Sequence, residues 1–180
     1  MNQKRYALLA LSAALLSPQL SSSVLSDPPR SSSQQPRGVR LSIYSYFVVT
    51  NSEDGVRDRD VEVYGYYNIN SKRLWTVQKK NRIEGCVPYR RIVAGWYDHE
   101  VMFDRPAGWT VTLNGYVKDY DAGSDDDGMW NAGNLPRVVN IKILYEQQQR
   151  NQKAQMTIRG DRSSENADLV LELGKSTLIY

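Results

Sequence analysis

The chain of 180 residues contains one cysteine, one histidine and two phenylalanines. A single cysteine closes no internal disulfide and supplies no Cys₂His₂-type zinc centre. Stability must then come from a packed core, supplemented by any bound metal. The lone histidine, His99, sits at a strand start beside Asp98, where a structural or exposed role is the ordinary one. No Gly-x-Ser-x-Gly segment is present to supply the nucleophile of a Ser-His-Asp triad. A Cys86–His99 thiol pair is disfavoured because Gly85-Cys86-Val87-Pro88 reads as a turn. Paired acids for glycoside hydrolysis would need a cleft that nothing in the sequence locates. The chain is read as a non-enzyme, with no catalytic residue assigned.

Other shortages narrow the class further. There is no internal repeat, no heptad pattern and no β-α-β alternation, so solenoids, coiled coils and doubly wound folds fit poorly. The formal charge is only +3, and without Lys4 and Arg5 the balance is 21 basic to 20 acidic residues. Global charge therefore gives no nucleic-acid signal. No Asn-x-Ser/Thr sequon occurs, which suits a bacterial periplasmic or secreted protein. The length suits one domain with a tail.

The N-terminus has the layout of a secretory signal peptide. Lys4 and Arg5 form a basic start, and Tyr6 to Leu16 is an apolar stretch of 11 residues. That stretch is too short to span a bilayer. Small polar residues follow, with cleavage expected near Ser21–Ser23. Residues 1–23 are read as the signal, and 24–38, rich in Ser, Pro, Gln and Arg, as a flexible linker. Residues 39–180 remain as the folded domain, and the mature protein is expected to be secreted or periplasmic.

Within that domain, period-2 alternation dominates. Strands are expected near Leu41–Val49, Val61–Ile69, Arg73–Ile83, Tyr89–Val93, Asp98–Phe103, Trp109–Val117, Val138–Tyr145, Lys153–Ile158, Asp168–Leu173 and Ser176–Tyr180. Gly65 marks a bulge or close approach. Only Glu146–Lys153 has a helix-like composition. Short strands separated by turn signals point to an all-β fold, an antiparallel eight-stranded β-sandwich. Trp75, Trp96 and Trp109 are assigned to the core, and Met129 and Trp130 to core packing or to anchoring a loop, with an apolar tip that inserts into a membrane or partner as the alternative.

The acidic residues fall into two runs. The first is Asp54-Gly-Val-Arg-Asp58-Arg-Asp60, which leads directly into Val61-Glu-Val-Tyr. The second is Asp119-Tyr-Asp121-Ala-Gly-Ser-Asp125-Asp126-Asp127. Solvated hairpin loops alone are often rich in Asp and Gly. Two runs beside strands suggest something more specific. Calcium takes about 6–8 oxygen ligands at about 2.3–2.6 Å, and carboxylates crowded at one end of a sandwich repel one another until a cation is bound. An EF-hand frame starting at Asp119 fails, because Ser124 occupies the sixth position and Trp130 the twelfth.

The spacings Asp54-x5-Asp60 and Asp119-x-Asp121-x5-Asp127 resemble the first and third calcium loops of a C2 domain. The likeness covers most of residues 39–146. It departs from the family where Val61 replaces the usual proline, and where Asp58, Asp125 and Asp126 are extra acids. The resemblance implies a calcium site at one end of the sandwich. Its ligands would be Asp54, Asp60, Asp119, Asp121 and Asp127, with Asp125 and Asp126 as alternates. It further implies calcium-dependent recognition of a membrane surface or protein partner by a monomer. The alternative is a structural or adhesion-type module in which calcium only rigidifies the loops. Lys72, Arg73, Lys79, Lys80, Arg82, Arg90 and Arg91 gather near the third strand. Blocking of edge pairing is their ordinary role, and contact with acidic lipid is the role the resemblance adds.

Overall fold

Alternation of buried and exposed side chains shapes this chain from Val39 onward. The computed structural model describes residues 34–51, 61–86, 89–122, 125–130, 136–160 and 166–180. The expected signal peptide and most of the expected linker lie outside these residues, as do Asp54, Asp58 and Asp60.

Ten strands and one helix are present among the described residues. They run β1 (Gly38–Asn51), β2 (Val61–Ile69), β3 (Lys72–Val77), β4 (Ile83–Cys86), β5 (Arg91–Met102), β6 (Thr110–Asp119), β7 (Gly128–Trp130), β8 (Arg137–Asn140), α1 (Lys142–Gln149), β9 (Gln155–Ile158) and β10 (Asn166–Ile179). One sheet has the order β5-β1-β10-β9. The other has the order β3-β2-β6-β7, with β4 also pairing β2 and β8 also pairing β6. Every pairing is antiparallel. The fold is an antiparallel β-sandwich, as the alternation predicts.

The core lies between the sheets. Val39, Leu41, Ile43, Phe47 and Val49 project inward from β1, and Val63, Tyr67 and Ile69 from β2. Val111, Leu113 and Val117 do the same from β6. Phe47 is the knob at the centre. Its ring centroid lies 5.6 Å from Tyr67, 5.6 Å from Trp75 and 5.5 Å from Trp130. Edge-to-face contacts of this kind add to what area burial alone contributes.

Two bulges explain where the strand boundaries depart from expectation. The segments Tyr89–Val93 and Asp98–Phe103 belong to one strand, β5. Its register against β1 slips at Ser45/Tyr46, opposite Gly95 and Val93. Likewise β10 is continuous through Gly174, where the pairing steps from Ser42↔Lys175 to Ile43↔Leu173. An extra residue at a bulge reverses the alternation beyond it. Ile92 and Ala94 point inward before the bulge in β5 and Val101 after it, so Trp96 is carried to the outer face. Trp96 is therefore 57% exposed instead of core, and it packs on Tyr44 at 5.0 Å. Trp75 and Trp109 are buried as expected.

The stretch Val138–Tyr145 divides into strand and helix. Asn140 ends β8, and its Oδ1 accepts the Lys142 N–H at 2.9 Å, an Asx-type turn that leads into α1. Ile141 and Leu144, three residues apart, bury one side of that turn. Gly65 makes a close approach: a Cβ there would lie 2.1 Å from the Tyr116 carbonyl oxygen.

Phe47→Ala is expected to lower unfolding free energy by about 3–5 kcal/mol, because it empties the contact between the sheets. Equilibrium urea unfolding with an unchanged m-value checks this.

Candidate functional site at the acidic end

β6 and β7 form a hairpin, and the second acidic run is its loop. Val117 pairs with Trp130 and Lys118 with Gly128. Met129 and Trp130 are both fully buried, so the far side of the loop is pinned in the core. The near side is pinned by Asp119, the last residue of β6, which is 1% exposed. Its Oδ1 accepts the Glu62 N–H at 2.6 Å and the Tyr120 N–H at 2.8 Å. Its own N–H donates to the Asp127 carbonyl at 2.8 Å, which closes the loop.

These contacts place β2 against the second acidic run. Val63 pairs with Asp119, and the Tyr120 N–H donates to the Glu62 carbonyl at 3.1 Å. Val61, one peptide bond after Asp60, is a fully buried residue at this same end. Asp54 and Asp60 themselves lie outside the described residues.

Asp126 has a different surrounding. Its Oδ2 accepts the Tyr64 hydroxyl at 2.5 Å and lies 2.6 Å from Lys79 Nζ. Its Oδ1 accepts the Asp121 N–H at 3.4 Å. Burial acts to raise the carboxyl pKa, but the lysine, the phenol and the amide together outweigh it and hold the value below 3.8. Tyr64 is shifted the other way, by burial first and then by Asp126, so its phenol stays protonated. Lys79 belongs to a short 3-10 turn, Lys79–Asn81, rather than to a strand face. Its ammonium lies 4.8 Å from the Tyr120 ring centroid and 5.9 Å from that of Tyr64. Arg82 covers Tyr120 at 4.3 Å and pairs with Glu62 at 2.7 Å. Lys79 and Arg82 of the basic group are thus woven into the acidic end, while Lys72, Arg73 and Arg91 lie over Tyr97, Tyr66 and Tyr46.

Of the remaining expected ligands, Asp125 is exposed, while Asp121 and Asp127 are half-buried. The hairpin brings Asp119, Asp121, Asp125, Asp126 and Asp127 to one end of the sandwich. Their carboxylates are not pooled there. No group of three or more Asp, Glu, His or Cys side chains arranged to hold a metal occurs among the described residues. A metal centre at this end would need the first acidic run as well. Two of these carboxylates already serve the fold, Asp119 on backbone amides and Asp126 on Lys79 and Tyr64.

Sequence reasoning missed the roles of Lys79 and Tyr64. Period-2 alternation through Tyr64 and Tyr66 was the available signal, because it puts both rings on the outer face of β2. Tyr66 and Tyr116 then stack edge to face at 4.9 Å, with Arg73 over Tyr66 at 4.2 Å. His99 has a structural place: Nε2 donates to the Gly108 carbonyl at 2.7 Å, and the ring stacks on Tyr97 at 5.8 Å.

No protein-family model matches the chain, and no curated protein is similar to it in sequence. Similar solved structures include the crystal structure of the Cry23Aa1 and Cry37Aa1 binary protein complex, at 16% identity and a TM-score of 0.39 over 79% of this chain and 98% of that one. The first C2 domain of plant Extended Synaptotagmin 1 is similar at 12% identity and a TM-score of 0.33, covering 78% of this chain and 95% of that one. The calcium-bound pair of C2 domains of Extended-Synaptotagmin 2 gives 14% and 0.33, over 77% and 46%. None of these likenesses assigns a residue or a ligand to this chain.

The depressed Asp126 pKa has a defined pH consequence. A carboxylate whose folded pKa lies below its unfolded value contributes stability above the unfolded value and loses it as pH falls through the folded one. Asp126→Asn is therefore expected to flatten the fall in stability below pH 3.8 and to leave the slope at neutral pH unchanged. Urea unfolding across an acid pH series reads the difference.

Proposed function

We propose that this chain is an exported β-sandwich recognition module that binds calcium at its acidic end and there meets an acidic membrane surface or a protein partner. The observation that carries this reading is the Asp119 clamp on Glu62. It fixes the start of β2 and the second acidic run at one end of the sandwich. Asp121 and Asp127 from that run, with Asp54 and Asp60 from the other, are the ligands we assign, and Asp125 is the alternate. Bound calcium would neutralise these carboxylates and give the end of the sandwich a charge that acidic headgroups accept. Asp119 belongs to the fold more than to the ion. The chain's part is binding, with no catalytic step.

A second reading is favoured by one contact. Lys79 already supplies a positive charge 2.6 Å from Asp126. Calcium would then add rigidity to the loop without being needed to form it, and the module would engage its partner with or without the ion.

Calcium at about ten times its Kd is expected to add about 1.4 kcal/mol of stability, or a rise of about 3–6 °C in Tm. Asp121→Asn combined with Asp127→Asn should abolish the rise. Asp119→Asn is the poorer probe, because it disturbs the β2 clamp in the absence of calcium. An unchanged melting curve in calcium sinks the metal reading. Sedimentation with phosphatidylserine vesicles separates the two readings. Capture that needs calcium supports the first, and calcium-independent capture supports the second.

A further inference from the structure

A groove at the opposite pole of the sandwich is built from three aromatic rings and one pair of opposite charges. β6 runs from Thr110 to Asp119, so its start lies roughly 30 Å from the acidic end at strand rise. Trp109 precedes that start, Phe103 follows β5, and Tyr145 lies on α1. These three residues, with Asn140, Lys142 and Glu146, line a groove of about 530 Å³, a size within the range of small-molecule sites. The Trp109 and Tyr145 rings lie 5.5 Å apart at 36°, and Phe103 and Tyr145 lie 6.4 Å apart at 40°. Trp109 is only 7% exposed and backs this aromatic wall, whose open surface comes from Phe103 and Tyr145.

The wall is held in place from behind. The Ile141 N–H donates to the Trp109 carbonyl at 2.8 Å, and Ile141 and Leu144 are fully buried, so α1 carries Tyr145 on a fixed base. Phe103 is nonetheless 40% exposed, a large apolar ring left facing water. The charged atoms at the groove are Lys142 Nζ and Glu146 Oε1, 3.4 Å apart, with both side chains about half exposed. Such a pair contributes little to stability by itself, about 0.3–0.5 kcal/mol, and opens at small cost.

We propose that this groove binds a phosphocholine group, with the quaternary ammonium over the aromatic wall beside Glu146 and the phosphate at Lys142. Quaternary ammonium ions are attracted to the faces of Trp, Tyr and Phe within about 6 Å of the ring centroid. A carboxylate at the edge of that wall selects cations and repels simple anions. A neighbouring ammonium one helical turn away complements the anionic half of a zwitterion. An uncharged sugar would stack on the rings but leave both charges unmatched. The site is independent of the acidic end and of calcium.

Isothermal titration of the full chain with phosphocholine, in the absence of calcium, tests the assignment. Saturable binding is expected, weakened about tenfold by Glu146→Gln and by Tyr145→Ala. Glu146→Gln lies on an exposed helix face and should keep the wild-type Tm. Asp126→Asn, at the other pole, should leave phosphocholine binding unchanged. Sedimentation with phosphatidylcholine vesicles, competed by soluble phosphocholine, assigns the lipid as the source. Soluble binding without sedimentation assigns a free phosphocholine compound. No binding up to about 10 mM, where even millimolar affinity registers, overturns the proposal. Binding unaffected by both groove variants overturns it too, as does a glucose affinity equal to that for phosphocholine.

Discussion

Burial of Trp130 against Phe47 and Tyr67 is the contact on which the acidic end depends. β7 is only three residues long, and too few ladder hydrogen bonds hold it to β6 for it to stay paired on their account. What holds it is a tryptophan and a methionine with no exposed surface, seated where the two sheets meet. Five aspartates on a flexible tether would spread apart through mutual repulsion. With Trp130 fixed at one side and Asp119 fixed at the other, the loop between them spans a set distance. The core therefore fixes both ends of the acidic run at one end of the sandwich.

The chain relieves part of that repulsion from within. Lys79 and the Tyr64 hydroxyl both meet one oxygen of Asp126, and the backbone amides of Glu62 and Tyr120 both meet one oxygen of Asp119. Charge-assisted bonds of this kind are roughly twice as strong as neutral ones. Asp119 and Asp126 are thus both engaged by the fold, while Asp125 is exposed. The run therefore contains both acids used as structural anchors and, in Asp125, an acid that faces water.

Much of the sandwich was legible in the sequence because period-2 alternation is enforced wherever one face is buried. Leu41, Ile43, Phe47 and Val49 announce their strand, as do Val111, Leu113 and Val117. The failures lie where one residue changes the phase. Bulges at Gly95 and Gly174 are invisible to a pattern that reads each glycine as a break, so single strands look like pairs and Trp96 takes the wrong face. Val138–Tyr145 alternates well enough for a strand, but the Asn140 side chain turns the backbone at Lys142 and Ile141 and Leu144 find a helical spacing. β7 is too short to leave any period at all. At the site, spacing located the acids but not their partners. No local signal in a run of lysines marks which one folds back over Tyr120 onto Asp126.

The two poles use different physics, and their separation follows from the strand length. The acidic end is made of closely spaced charges whose interactions fall steeply with salt beyond a Debye length of about 8–10 Å. The groove at the other end is made of rings and one weak ion pair, so its attraction for a ligand is short-ranged and only partly screened. Roughly 30 Å of close-packed sandwich lies between them, with β6 running the whole way. Sites this far apart with no shared partner behave additively unless a bistable element links them. β6 does not provide one: it is paired to β2 from Leu113 to Asp119 and, at its two ends, to β7 and β8. A strand held on both edges cannot slide without breaking both ladders, so ligands at the two proposed sites would act independently. A surface carrying both acidic lipid and choline headgroups would meet such a molecule at one pole or the other, with the choice set by ionic strength at the acidic end and hardly at all at the groove.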